Sequence, residues 1–92
     1  MTRDLQSAVA EWHRAAFPDC QPVDLVKKLG EEVAELAMAL GVNGYVDHTG
    51  GVREELADVA TVILALADRC QVDLALAVND GLADVRERYP PR

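Results

Sequence analysis

Apolar residues recur along the chain at intervals of three and four, which is the spacing of one face of an α-helix. Between the prolines and glycines that interrupt it, this spacing predicts four helices, over residues 3–16, 22–40, 51–70 and 73–88. The apolar stripes that define these helices are Leu5, Val9, Trp12 and Ala16; Val26, Leu29, Val33, Leu36 and Leu40; Leu56, Val59, Val62, Ile63 and Leu66; and Leu74, Val78, Leu82 and Val85. Because no strand pattern accompanies them, the fold class is predicted to be all-α, with one bundle-like helical domain over residues 1–92.

The residues at the helix ends support these boundaries. Pro22 fits the first turn of the second helix, where Asp24 complements the helix dipole. Asp73 is expected to cap the fourth helix, and Thr49 or a neighbouring glycine the third.

Composition and charge exclude several classes of protein. Half of the 92 residues are apolar, which is too many for a disordered chain, and the length suits one domain. The net charge of −7 argues against a protein that binds the phosphate backbone of nucleic acids. No apolar run approaches the roughly 20 residues that span a bilayer, no signal peptide is evident, and two cysteines are too few for a disulfide scaffold. We therefore expect a cytoplasmic protein with no membrane or nucleic-acid partner.

The small size also predicts self-association. A chain of about 90 residues leaves roughly a third or more of its surface unburied. A homodimer or homotetramer is therefore expected to complete the core.

Acidic side chains form a pattern on the second and third helices. Glu31, Glu32 and Glu35 share one arc of the second helix, away from its apolar stripe. Such a run is commonly a solvated face with i,i+4 pairs such as Lys28–Glu32. On the third helix, however, Glu55 lies inside the apolar stripe.

A buried carboxylate is unfavourable unless it is paired or binds a metal. Arg69 or Lys28 would be the pairing partners of Glu55 and Asp58, although Arg69 lies near the far end of the third helix. Alternatively, antiparallel packing brings the two groups of acids together, and Mg²⁺ or Mn²⁺ relieves their repulsion. Because no His lies at metal-ligand spacing on these helices, zinc and di-iron sites are disfavoured. Mg²⁺ or Mn²⁺ held by carboxylates also binds phosphates, so phosphoanhydride chemistry is the favoured function.

The segments KLGEEVAEL (28–36) and EELADV (54–59) resemble the all-α nucleoside triphosphate pyrophosphohydrolases of the MazG type, whose signature is E-E-x-x-E followed by E-x-x-D. The tail over residues 67–90 is similar to the second helical pair of that family. The resemblance implies Mg²⁺-dependent hydrolysis of a nucleoside triphosphate to the monophosphate and pyrophosphate, with Mn²⁺ as a possible substitute ion. By analogy it also implies a house-cleaning role on non-canonical nucleotides.

Carried over by position, the resemblance implies that Glu32, Glu35, Glu55 and Asp58 are the metal ligands. Glu31 would hold or deprotonate the attacking water.

The resemblance also matches Asn79 to a substrate-facing Asn on the last helix of the family. Arg86 lies on the same flank and is a candidate for contact with phosphate oxygens. Where many members of the family have a Lys near Asn79, this chain has Asp80 and Gly81, so Lys28 is a further candidate for that contact.

Trp12 and His13 stand just before the first loop and are candidates for contact with the base. Trp12 lies on the apolar stripe, which favours core packing, whereas His13 lies off its centre and is expected to face solvent. Two alternative functions remain. One is a phosphoribosyl-ATP pyrophosphatase-like enzyme, which shares the acidic frame but usually carries a His on the third helix. The other is a non-catalytic helical interaction module in which the acids only pair and solvate.

Overall fold

The computed structural model describes residues 2–41 and 51–92, with side chains from Asp4 onward. These residues form four α-helices and no strand: α1 (Thr2–Ala16), α2 (Pro22–Leu40), α3 (Gly51–Arg69) and α4 (Leu74–Arg88). The all-α prediction is confirmed, and every boundary lies within one residue of the sequence-based expectation. The cap predicted at Thr49 lies outside the described residues.

The helix ends follow from local chemistry. Pro22 is the first residue of α2, and the backbone N–H of Gln21 donates to the Asp24 carboxylate at 2.9 Å. Asp73 caps α4, as predicted, by accepting from the N–H of Leu76 at 3.2 Å. The chain leaves α3 through Gln71, whose φ of 58° is the left-handed conformation that ends many helices.

The main core lies between α2 and α3, which run antiparallel. Leu25, near the start of α2, packs with Val62 and Ala65 in the second half of α3. Glu32, farther along α2, instead lies opposite Glu55 at the start of α3. This arrangement places the apolar core at one end of the helix pair and the carboxylates at the other.

The predicted apolar stripe of α1 is only partly correct, because Val9 packs against the core but its other members do not. Ala10 and His13 are the buried residues of this helix, whereas Leu5 and Trp12 are more than half exposed. The helix turns this face inward because Ala10 permits close packing and the His13 ring binds Arg69 of α3. The prediction that Trp12 belongs to the core and that His13 faces solvent is therefore corrected on both counts.

The stripe of α2 is also displaced from the prediction. Val26 and Val33 are exposed, and Leu25 and Glu32 are buried against α3. Glu32 therefore does not lie on a solvated face. Leu56, expected in the apolar stripe of α3, is also exposed, whereas Glu55 is partly buried as predicted.

The fourth helix is attached mainly to α1 and contributes no buried side chain. The side-chain amide of Gln6 donates to the Val72 carbonyl at 2.7 Å and accepts from the Leu74 N–H at 2.9 Å. Val78 and Leu82, from the predicted stripe of α4, are exposed. Within the described part of the chain, no helix is long and apolar enough to cross a membrane.

Candidate metal centre and adjoining groove

Three carboxylates from two helices converge at the α2–α3 contact. Glu32 and Glu35 project from the same side of α2 because they are three residues apart, and Glu55 projects from α3. Each offers an oxygen within 4.8 Å of the others. The sequence was compatible with a solvated acidic face or with convergence of the two acidic motifs. The structure shows convergence of Glu32, Glu35 and Glu55.

Among the described residues, this carboxylate group has too few cationic partners. Lys28 Nζ lies 3.1 Å from Glu32 Oε1, as the predicted i,i+4 pair. The second oxygens, Glu32 Oε2 and Glu55 Oε2, are buried and have no hydrogen-bond partner among the described residues. Buried oxygens without donors carry a large desolvation cost, and a hard divalent cation is the ligand that removes it. The donor set, all carboxylate oxygen, fits Mg²⁺ or Mn²⁺.

The pKa values of Glu55 and Lys28 are shifted in the directions expected beside crowded carboxylates. Burial, followed by the charge of Glu35 and a hydrogen bond that protonated Glu55 donates to it, raises the pKa of Glu55 above its ordinary value. The charges of Asp58 and Glu32 add to the effect. The hydrogen bond to Glu32 and the surrounding acids raise the pKa of Lys28, which therefore stays cationic.

We expect the metal-free protein to lose stability as the pH rises above about 4.5, the ordinary pKa of Glu55. Between that value and the raised pKa, the folded state holds a proton that the unfolded chain has released. The stability linked to Glu55 is therefore complete below its ordinary pKa and is lost as the pH rises through the raised one. Urea unfolding over a pH series, with and without Mg²⁺, measures this loss and its reversal by the ion.

The matched control for this measurement is Glu55→Gln, because His13 and other groups also titrate. The difference between the natural chain and this variant isolates the Glu55 contribution. An unchanged difference across the series would contradict the crowded carboxylate group.

The other two acids of the predicted site lie at its edge. Asp58 is exposed, and its charge raises the pKa of Glu55, although its oxygens lie outside the convergent group. Glu31 is exposed and lies 3.7 Å from Lys28 Nζ. Arg69 is not a partner of the acids, because its guanidinium is bonded to the end of α1.

An apolar groove of about 380 Å³ adjoins the carboxylates. Trp12 and Phe17 form an edge-to-face pair with ring centroids 5.9 Å apart at its rim, and His13 lies 5.2 Å from Phe17. The remaining lining residues are Cys20, Asp24, Leu25, Lys28, Thr61, Val62 and Ala65. Lys28 both lines the groove and pairs with Glu32, so this side chain lies between the groove and the carboxylate group.

The sequence reasoning missed Phe17 and Thr61. Phe17 lies between the predicted end of the first helix and Pro18, and an aromatic residue at the start of a turn was the available signal. Thr61 gave no signal in the sequence. In the structure its hydroxyl donates to the Ala57 carbonyl at 2.7 Å, as helical threonines commonly do.

The structure does not bring Asn79 and Arg86 to this site. Both are exposed on α4. Neither lines the groove or belongs to the convergent carboxylates of its own chain.

The chain is similar to nucleotide-cleaving enzymes over most of its length. It is 39% identical over 79 residues to human dCTP pyrophosphatase 1, covering 76% of this chain and 46% of that protein. It is 34% identical over 85 residues to the dATP/dGTP diphosphohydrolase of Salmonella phage PMBT28, covering 92% of this chain and 26% of that protein. The chain thus spans about half or less of these relatives. No family model matches it, and no solved structure does.

Proposed function

Because this chain belongs to the MazG-type all-α nucleoside triphosphate pyrophosphohydrolases, we propose that it cleaves a nucleoside or deoxynucleoside triphosphate. The products are the monophosphate and pyrophosphate, and the required ion is Mg²⁺ or Mn²⁺. The observation that carries this proposal is the pair of buried oxygens on Glu32 and Glu55 that have no hydrogen-bond partner among residues 4–41 and 51–92, near an apolar groove that Lys28 lines.

The residues of α2 and α3 divide the work. Glu32, Glu35 and Glu55 would hold the ion, and Asp58, one turn farther along α3, would complete the ligand set. When bound, Mg²⁺ neutralises phosphate charge and lowers the pKa of a water molecule. Glu31, which is exposed beside the group, positions the attacking water and accepts its proton.

The groove holds the base and directs the phosphates to the carboxylates. Trp12 and Phe17 offer aromatic faces and edges on which a base packs. Lys28 stands between the groove and Glu32, where its ammonium group neutralises phosphate oxygens. Asn79 and Arg86 remain proposed substrate contacts, and they require that α4 of a second copy lies over the site.

The substrate is proposed to be a deoxynucleoside triphosphate, because the relatives are named for dCTP and for dATP and dGTP. A house-cleaning role on modified nucleotides is part of this proposal. The experiment is a screen of canonical and modified triphosphates for pyrophosphate release with Mg²⁺ and Mn²⁺. The proposal is supported if the natural chain is active and the double variant Glu35→Gln, Asp58→Asn is inactive. A chain that neither binds Mg²⁺ nor cleaves any triphosphate would instead favour the interaction module.

We infer that a second copy covers the apolar face of α4. Light scattering is expected to give about two or four times the 10.0 kDa mass of the chain. Val78→Glu, which places a charge on that face, is expected to lower the mass, and Asp84→Ser on the same helix serves as the control. A single-chain mass at every concentration would contradict this inference.

A further inference from the structure

The side chain of Arg69 gathers the end of α1 and the turn that follows it. Its Nη2 donates to the carbonyl oxygens of Phe17 at 2.8 Å and His13 at 3.3 Å, and its Nη1 to that of Cys20 at 3.3 Å. The same Nη2 lies 3.0 Å from Nδ1 of the His13 ring. The guanidinium therefore contacts both the backbone that carries the groove rim and one ring nitrogen within it.

The contact with Nδ1 determines where the proton of His13 lies. Nη2 carries two hydrogens, so one of them is shared between Nδ1 and a carbonyl oxygen. Because a guanidinium has only donors and does not deprotonate in proteins, its contact with Nδ1 is a hydrogen bond when Nδ1 is the unprotonated acceptor. The proton of the neutral imidazole then lies on Nε2. Arg69 thus selects one of the two tautomers.

The other ring nitrogen is free to meet a ligand. Within the described ranges, 2–41 and 51–92, Nε2 has no hydrogen-bond partner in the protein. The residue is buried at 6% exposure, yet Nε2 is not among the polar atoms sealed from solvent. His13 lines the largely apolar groove, and Nε2 is the ring nitrogen that Arg69 does not contact.

We propose that Arg69 is a positioning residue that makes His13 a fixed hydrogen-bond donor, through Nε2, to a nucleobase in the groove. The favoured base presents an unprotonated ring nitrogen or a carbonyl oxygen to His13. An amino group or a ring N–H at that position is rejected, because two donors then face each other without an acceptor. This inference rests on the proposed function, in that a nucleobase occupies the groove.

The charges around His13 agree with a neutral ring. Burial first, and then the positive charge of Arg69, lower the pKa of His13 below 6.5, while the charge of Asp68 opposes them. Asp68 is itself paired with Arg14, at two distances of 3.0 Å. From α2, Asp24 and Lys28 line the same groove with opposite charges.

The tautomer is measured without any substrate. Long-range ¹H–¹⁵N correlation spectra of the ¹⁵N-histidine protein over a pH series report both tautomer and pKa. The chain has two histidines, so the spectrum of His13→Gln assigns the signal of His13. We expect an Nε2–H ring that titrates below 6.5. An Nδ1–H ring or a mixture of tautomers would overturn the proposal.

Kinetics test the donor itself on the substrate that the screen identifies. A deaza analogue, in which C–H replaces the ring nitrogen that faces His13, is expected to raise KM roughly tenfold. His13→Phe is expected to raise KM for the natural base by a similar factor and to remove the difference between base and analogue. His13→Gln, whose amide offers a donor, restores that difference. Glu11→Gln, exposed on the same helix and outside the groove, is the control.

The outcomes separate this inference from the proposed function. If no triphosphate is cleaved, the function fails, and the spectra still decide whether Arg69 fixes the tautomer. If the enzyme is active but His13→Phe keeps the natural KM, the donor role is overturned. Arg69→Met adds a readout that a merely structural residue would not change, namely a mixture of His13 tautomers in the ¹⁵N spectra. If this variant does not fold, the spectra and the His13 variants still decide the outcome.

Discussion

Glu55→Gln is expected to reduce Mg²⁺-dependent pyrophosphate release by about a hundredfold or more, while making the metal-free protein more stable. The substitution removes one charged ligand from a group of three convergent carboxylates. It also removes a charge whose burial, followed by repulsion from Glu35, raises the pKa of Glu55. A loss of activity together with a gain in stability is typical of a site in which like charges repel each other until a ligand binds.

Two measurements check this expectation. Pyrophosphate release is followed with saturating Mg²⁺, and urea unfolding is followed in the absence of the ion. Glu54→Gln is the matched control, because it makes the same chemical change at the adjacent, exposed position of α3. Full activity in Glu55→Gln, or a less stable metal-free variant, would contradict the assignment of this carboxylate.

Arg69→Met is expected to lower the free energy of unfolding by about 3 kcal/mol. The guanidinium donates to three backbone carbonyls at the end of α1 and in the turn to α2, and it is partly buried. Methionine fills a similar volume but leaves these carbonyls without their donors. The loss therefore exceeds that of an ordinary exposed contact.

Arg14→Met is the control for this second prediction, because it breaks another arginine contact between α1 and α3. Arg14 forms a two-bond pair with Asp68, but its side chain is 62% exposed. An exposed pair of this kind contributes about 1 kcal/mol or less. Urea unfolding of the two variants is expected to rank Arg69 well above Arg14, and equal losses would show that the carbonyl contacts do not stabilise the fold.

The helices of this protein could be read from its sequence because their signals are local. These signals are the spacing of apolar residues three and four positions apart, Pro22 at a first turn and Asp73 at a cap. Each depends only on neighbours along the chain. The acidic residues were also found locally, and the placement of Glu55 in an apolar stripe correctly indicated that it is partly buried.

The rotation of each helix about its axis was not predictable in the same way. Both Val26 and Leu25 lie on apolar surfaces of α2, and only the fit against Val62 and Ala65 selects the face with Leu25. That choice also buries Glu32, against the rule that charged side chains face solvent. The burial of His13 follows in the same way from Arg69, which is 56 residues away in the chain.

By itself, the sequence determined four helices, their ends and two acidic motifs, because periodicity and capping act within a few residues. Only the tertiary structure decided which oxygens converge, which aromatic residues border the groove, and which ring nitrogen of His13 lies beside Arg69. Those properties depend on contacts between helices that are distant in the chain. A side chain's energy in such a contact is set by its partner and by its removal from water, neither of which a helical stripe specifies.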